Sequence, residues 1–161
     1  MRIPNDITIS LAASEPELKS LTNLDIDHRG RVWVCEVVNY RKNQGKRPEG
    51  DRILILEDTD GDGHFDKKKV FAENLFFPTG LQVGFGGVWA ACAPNILFLA
   101  DRNGDDQPDG EPEVILDGFD TDKVRHNIVN GLRWGPDGWL YGRHGILGSG
   151  SRVQINFDLG S

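Results

Sequence analysis

The residues whose spacing most clearly suggests chemistry are acidic. Asp58-x-Asp60-x-Asp62-Gly63-x-x-Asp66 alternates carboxylates with other residues, so that oxygens can converge on one point. A hard cation such as Ca²⁺ takes six to eight oxygen ligands of this kind. A second copy offers Asp101, Asn103, Asp105 and Asp109. An EF-hand needs a bidentate Glu at the twelfth position and a helix on each side. Here the twelfth position is Lys69 in one loop and Pro112 in the other, so neither is an EF-hand. The expectation is a hairpin-borne Ca²⁺ loop with a structural role. The competing reading is an ordinary turn in which Asp and Gly serve tight backbone angles and side-chain caps. With the seven Asp of these two sets and Asp106 set aside, 17 acids face 18 basic residues, so the net charge of −7 is concentrated in two turns.

Composition narrows the classes. A chain of 161 residues with 38% hydrophobic and 27% charged content holds one domain with a real core, and is not a disordered chain. The longest uninterrupted apolar run is Val88 to Ala93, too short for a bilayer. Met1-Arg2-Ile3-Pro4-Asn5-Asp6 has no apolar stretch of signal-peptide length, which leads to the expectation that no export signal is encoded. A pI near 5.0 argues against a nucleic-acid backbone as partner. Two cysteines, Cys35 and Cys92, are too few for a disulfide scaffold and stand in no C-x-x-C pattern. They read as small buried thiols, and a bridge between them would require an oxidising compartment.

The elements that must position the acids repeat along the chain. Leu24–Val34 reads as strand, Gly turn and strand. Leu81–Ala90 and Leu132–Gly142 repeat that outline, with Trp33, Trp89 and Tyr141 as landmarks 56 and 52 residues apart. A second unit is offset from it: Ile53–Glu57 runs into the first Asp loop and resumes at Val70, and Asn95–Leu99 runs into the second and resumes at Val114. Each period therefore holds four strands. Four antiparallel strands per repeat of roughly 40–50 residues describe a β-propeller blade. The predicted fold is all-β, one partial propeller over residues 1–161 with blades at about 22–73, 79–117 and 130–157. A β-sandwich is the alternative. Ser14-Glu15-Pro16-Glu17-Leu18 is the one helix-like stretch, predicted as a single turn.

Alternation of turns fixes which residues share an end. In an up-and-down blade successive turns lie at opposite ends. The Gly turns at 28–31, 84–87 and 135–138 should share one end with both Asp loops. The opposite rim should take residues 38–51, residues 118–129 and the chain after Tyr141, and so both His126 and His144. Glu36, Asn39, Tyr40 and Arg41, together with Arg143 beside His144, are candidates to line that rim; a solvated loop is the simpler reading for the first four.

The segment from Arg125 to Gly142, with a His shortly before Gly131-Leu132-Arg133 (no more than a few residues) and then Gly135-Pro136-Asp137-Gly138-Trp139-Leu140-Tyr141, resembles the quinoprotein sugar dehydrogenases. These are the soluble glucose and sorbosone dehydrogenases, six-bladed propellers that use pyrroloquinoline quinone (PQQ). Ala13-Ser14-Glu15-Pro16, Asp27-His28-Arg29-Gly30-Arg31-Val32-Trp33-Val34-Cys35-Glu36, Arg47–Asp58 and the two Asp loops resemble one branch, the membrane-bound dehydrogenases of planctomycete and verrucomicrobial type. The resemblance runs to about residue 147. It implies a sugar or alcohol hydroxyl as substrate, PQQ as cofactor, a periplasmic or extracellular setting, and His126 as the general base. A neutral imidazole suits that role. The family pattern has one residue fewer between His and Gly. A six-bladed ring of such repeats takes roughly 300 residues, so the resemblance also implies partnership with remaining blades in cis or with a second copy. The alternative function is a non-catalytic, calcium-stiffened propeller module that binds carbohydrate or protein.

Overall fold

The computed structural model describes residues 6–40, 45–119 and 128–144, with the short strand Gln154–Ile155. Among them every regular element is a strand, and every sheet is antiparallel. β1 (Leu21–Ile26), β2 (Val32–Glu36), β3 (Asp51–Glu57) and β4 (Lys67–Leu75) form the first sheet in chain order. β5 (Pro78–Val83), β6 (Gly87–Cys92), β7 (Asn95–Ala100) and β8 (Glu113–Leu116) form the second in the same way. β9 (Asn130–Trp134) and β10 (Leu140–Arg143) begin a third, which β11 (Gln154–Ile155) extends. Ser14–Leu18 makes one turn, its Ser14 carbonyl accepting from the amides of Glu17 and Leu18.

The strands form where β-branched and aromatic residues run between Gly- and Asp-rich turns. Within each sheet side chains alternate between two faces. Trp33, Cys35, Ile53, Ile55 and Phe71 leave one face of the first sheet and meet Leu81, Val88, Ala90, Cys92 and Leu99 of the second. Trp89, Ala91, Ile96 and Phe98 leave the far face of the second and meet Leu132 and Leu140 of the third. A smaller cluster on the outer face of the first sheet joins Val34, Leu54 and Leu56 to Leu18, with Ala13 and Phe65 at its margin. A Leu or Ile taken fully from water stabilises by about 1.5–3 kcal/mol, so these clusters supply most of the driving force.

Hydrogen bonds between sheets repeat as the strands do. Thr22 Oγ1 donates to the Pro78 carbonyl (2.6 Å), and Thr79 Oγ1 donates to the Val129 carbonyl (2.5 Å). Asp25 Oδ2 accepts from the Val83 amide (2.8 Å), and Gln82 Oε1 accepts from the Trp134 amide (2.8 Å). The first strands of the three sheets are therefore neighbours, joined by one rule used twice. At Gly80 an added Cβ would stand 3.0 Å from the Gly131 amide nitrogen, which is why that rung takes glycine.

Candidate functional site

Strand register settles which residues share an end. Ile26 pairs with Val32 and Val32 with Leu56; Val83 pairs with Val88 and Val88 with Leu99; Trp134 pairs with Leu140. The three Gly turns and both Asp loops thus sit at one end, and the Asp101 amide donates to the Gly86 carbonyl there (2.8 Å).

In the first loop Asp58 accepts from the amides of Gly61 (2.7 Å) and Gly63 (2.9 Å), and Asp62 accepts from His64 (2.8 Å). The Gly63 amide is the chief cause that holds the Asp58 carboxyl below its usual range. Asp58, Asp60 and Asp62 each offer an oxygen within 4.8 Å of the others. Asp66 turns back to Thr59 and accepts from its amide and its hydroxyl.

The second loop is built on the same plan and used differently. Asp101 accepts from the amides of Asp105 and Asp106, and Asp109 from Arg102, as Asp58 and Asp66 do in the first copy. Where the first loop has Gly63 at φ +90°, the second has Asp106 at φ +64°, a conformation that costs a residue with a Cβ. The Asp106 carboxylate reaches across to the first sheet and pairs with Arg31 Nη1 at 2.8 Å. Arg31 also holds Asp27 at 2.8 Å and lies over the Trp33 ring, whose indole donates to the same Asp27. The Arg31 bond is the main reason the Asp106 carboxyl lies below its usual range. Burial pushes Asp27 up, but donors from Trp33, Arg31 and Arg29 outweigh it and hold it low. The Asn103 amide donates to Asp105. Among the described residues, the carboxylates of Asp101, Asp105 and Asp109 do not converge as those of Asp58, Asp60 and Asp62 do. Of the acids in the second loop, Asp106, which the cation reading leaves outside its ligand set, ties the loop to the first sheet.

At the opposite end Leu21 pairs with Glu36 and Glu36 with Arg52, Pro78 pairs with Cys92, and Asn130 pairs with Arg143. There the starts of the three first strands surround a cavity of about 400 Å³, lined by Thr22, Tyr40, Lys46, Phe77, Thr79 and Asn130 among others. Tyr40 stacks on Phe77, 4.6 Å between centroids and 14° between planes. Phe77 stands at φ +53°, and its amide donates to the buried Asp51, which also accepts from Val38 and Asn39. Cation, hydroxyls, amide and an aromatic pair together suit a small polar molecule with a flat or ring-shaped body.

The other rim candidates are placed as follows. Glu36 is fully buried and bonds Arg47 Nη2 and Arg52 Nε at 2.6 Å each, and the Lys19 amide at 2.9 Å. Burial pushes its carboxyl up, and the two arginines reverse this and hold it low. It braces the loop 45–50 rather than standing in solvent. Asn39 exchanges two bonds of 2.8 Å with the Arg47 backbone and serves the same loop. Among the described rim candidates, Tyr40 alone lines the cavity. Arg143 lies exposed, its guanidinium so close over Gly131 that a Cβ there would meet Nη2 at 2.7 Å. His144 sits edge-on to Phe119 at 5.4 Å, with both ring nitrogens buried and no hydrogen-bond partner among the described residues. His126 and Arg41 lie outside the described residues. Sequence reasoning missed Lys46, Phe77 and Thr79 at the cavity, and Arg31 and Asp106 at the other end. The one available signal was Asp106 standing where the first loop has a glycine.

A family model for a domain of unknown function, DUF7133, matches residues 1–159. No curated protein matches the chain.

Proposed function

This chain belongs to the DUF7133 family, and we propose that its three sheets are blades of a β-propeller of the quinoprotein-dehydrogenase kind that oxidises a sugar or alcohol hydroxyl. The observation that carries the reading is the cavity where the three first strands begin. It lies at the end away from the carboxylate loops and takes Thr22, Thr79 and Asn130 from three successive sheets. Sheets whose first strands gather about one hollow, each passing its hydrogen bonds to the next, are what a propeller axis requires. The segment resembling the dehydrogenases supplies Ile128 and Asn130 to this cavity, and His126 precedes Ile128 by two residues.

In this reading Thr22, Thr79 and Asn130 orient hydroxyls of the substrate, the Tyr40–Phe77 pair gives its apolar face a surface, and an imidazole nitrogen of His126 takes the hydroxyl proton. The cavity suits part of a PQQ-sized anion, since Lys46 offers a cation and Tyr40 a planar neighbour. PQQ when bound supplies a two-electron acceptor. Further blades, in cis or from a second copy, complete the mouth, and the resemblance carries with it a periplasmic or extracellular setting. Ca²⁺ at Asp58, Asp60 and Asp62 stiffens the far end. Adding PQQ and Ca²⁺ and following dye reduction over a panel of aldoses and alcohols tests this. Turnover is expected once the further blades complete the mouth, and it is abolished by His126→Ala. No turnover together with no change in quinone absorbance on mixing would overturn it.

A second reading, a non-catalytic module binding carbohydrate, draws on the aromatic pair beside hydroxyls in the same cavity. It predicts retention on a polysaccharide column, lost in Tyr40→Ala, without turnover.

A further inference from the structure

The cavity where the first strands begin holds polar groups of two kinds. Thr22 and Thr79 each spend the hydroxyl proton on a backbone carbonyl, and Asn130 Nδ2 donates to the Ile128 carbonyl. The two hydroxyls are left with lone pairs, and Asn130 keeps its Oδ1 as an acceptor. Groups of this kind receive the hydroxyls of a ligand. Lys46 is the other kind, an ammonium with three donors and no acceptor. It has no ion-pair partner among the described residues, and none of those that line the cavity is a carboxylate.

The charge around the mouth has the same sign. Two buried acids at this end are engaged: Asp51 accepts from three backbone amides, and Glu36 from Arg47, Arg52 and the Lys19 amide. Arg143, exposed on the rung opposite Asn130, adds a second cation. The acids of the two Asp loops stand at the far end, a six-residue strand away. That is about 20 Å, roughly twice the distance over which physiological salt screens a charge. The net charge of −7 therefore does not describe the cavity, whose mouth is positive.

We propose that the cavity takes a sugar bearing a carboxylate, a uronic acid. Its acid pairs with Lys46, its hydroxyls donate to Thr22, Thr79 and Asn130, and its ring lies against the Tyr40–Phe77 pair. The inference rests on the second reading above, that the cavity binds carbohydrate, and gives Lys46 to the sugar rather than to a quinone. A neutral aldose leaves the ammonium unpaired, and an amino sugar sets a second cation against it.

Ligand-observed NMR titrations with D-glucuronate, D-glucose and D-glucosamine, with no quinone present, test it. Glucuronate is expected to bind about fivefold more tightly than glucose, the scale of one partly exposed ion pair, and glucosamine more weakly than glucose. The preference should shrink when salt is raised to about 0.5 M. It should vanish in Lys46→Met, a change at an exposed position that leaves the circular dichroism of the fold as it is. Glucose bound as tightly as glucuronate overturns the inference and leaves the cavity a carbohydrate site. A preference for glucuronate that survives Lys46→Met overturns it as well. Failure of all three sugars to bind overturns the carbohydrate reading, and the inference with it.

Discussion

Glu36 sits at the end of β2 with no solvent exposure, between two arginines that reach it from the loop and from the next strand. A carboxylate taken from water is tolerated only when charge and hydrogen bonds replace its hydration. Here Arg47, Arg52 and the Lys19 amide do so. Glu36→Gln keeps the shape and removes the charge, leaving two largely buried guanidinium groups facing a neutral amide. Water reaches both arginines in part, so the expected loss is about 3 kcal/mol, at the low end for a broken buried pair, read as a fall in the urea midpoint at unchanged slope. The pH dependence has a definite sign. Glu36, Asp27 and Asp106 all have carboxyls held below their ordinary values of 4.5 and 3.8. Their contribution is complete above those ordinary values and is lost as pH falls through the lowered ones. Stability measured against pH should drop steeply below 4.5 in the wild type, and less steeply in Glu36→Gln.

The hairpins were legible because their punctuation is local: Gly30, Gly61, Gly63 and Gly138 all take positive φ at turns between apolar runs. The two Asp loops announce themselves by type and spacing. What pairs Arg31 with Asp106, or Glu36 with Arg47, is proximity across sheets or loops, and no local feature of the sequence names the partner. Glu36 at a strand end reads as a rim residue until the loop folds over it. Glycine can be as opaque. Gly87, first residue of β6, has no unusual φ, yet a Cβ there would lie 2.3 Å from the Leu99 carbonyl oxygen and 2.8 Å from the Phe98 ring. The backbone and a packed ring cannot both retreat, so Gly87→Ala should cost about 3 kcal/mol through overpacking. Gly110→Ala meets nothing within 4 Å and serves as the control, with an expected change near zero. Urea unfolding of the two variants, followed by tryptophan fluorescence, separates local crowding from a general intolerance of alanine.

At the scale of the molecule the question is whether the sheets open separately or together. Their faces interdigitate in continuous clusters, and the Asp27–Arg31–Asp106 chain ties the first sheet to the loop of the second. Cys35 lies on the first sheet and Cys92 on the second, both free, buried and in one cluster, so they report on that seam. Burial pushes the Cys92 thiol up to about 12, aided by the Asp51 charge, and pushes Cys35 well above its ordinary range. Only the thiolate attacks a disulfide reagent, so neither should react at pH 8 while the seam is closed. If the sheets separate only when the whole domain unfolds, both thiols become reactive with one urea midpoint, and that midpoint equals the one seen by Trp33 and Trp89 fluorescence. Labelling of either cysteine at lower urea than the fluorescence change would show that the seam opens first and that each sheet is a separate cooperative unit. Asp106→Ala then sharpens the contrast, since it removes the lock from the loop end while leaving the apolar cluster intact. Its midpoint should fall for both probes together in a single-unit molecule, and for the thiols alone in a molecule of independent sheets.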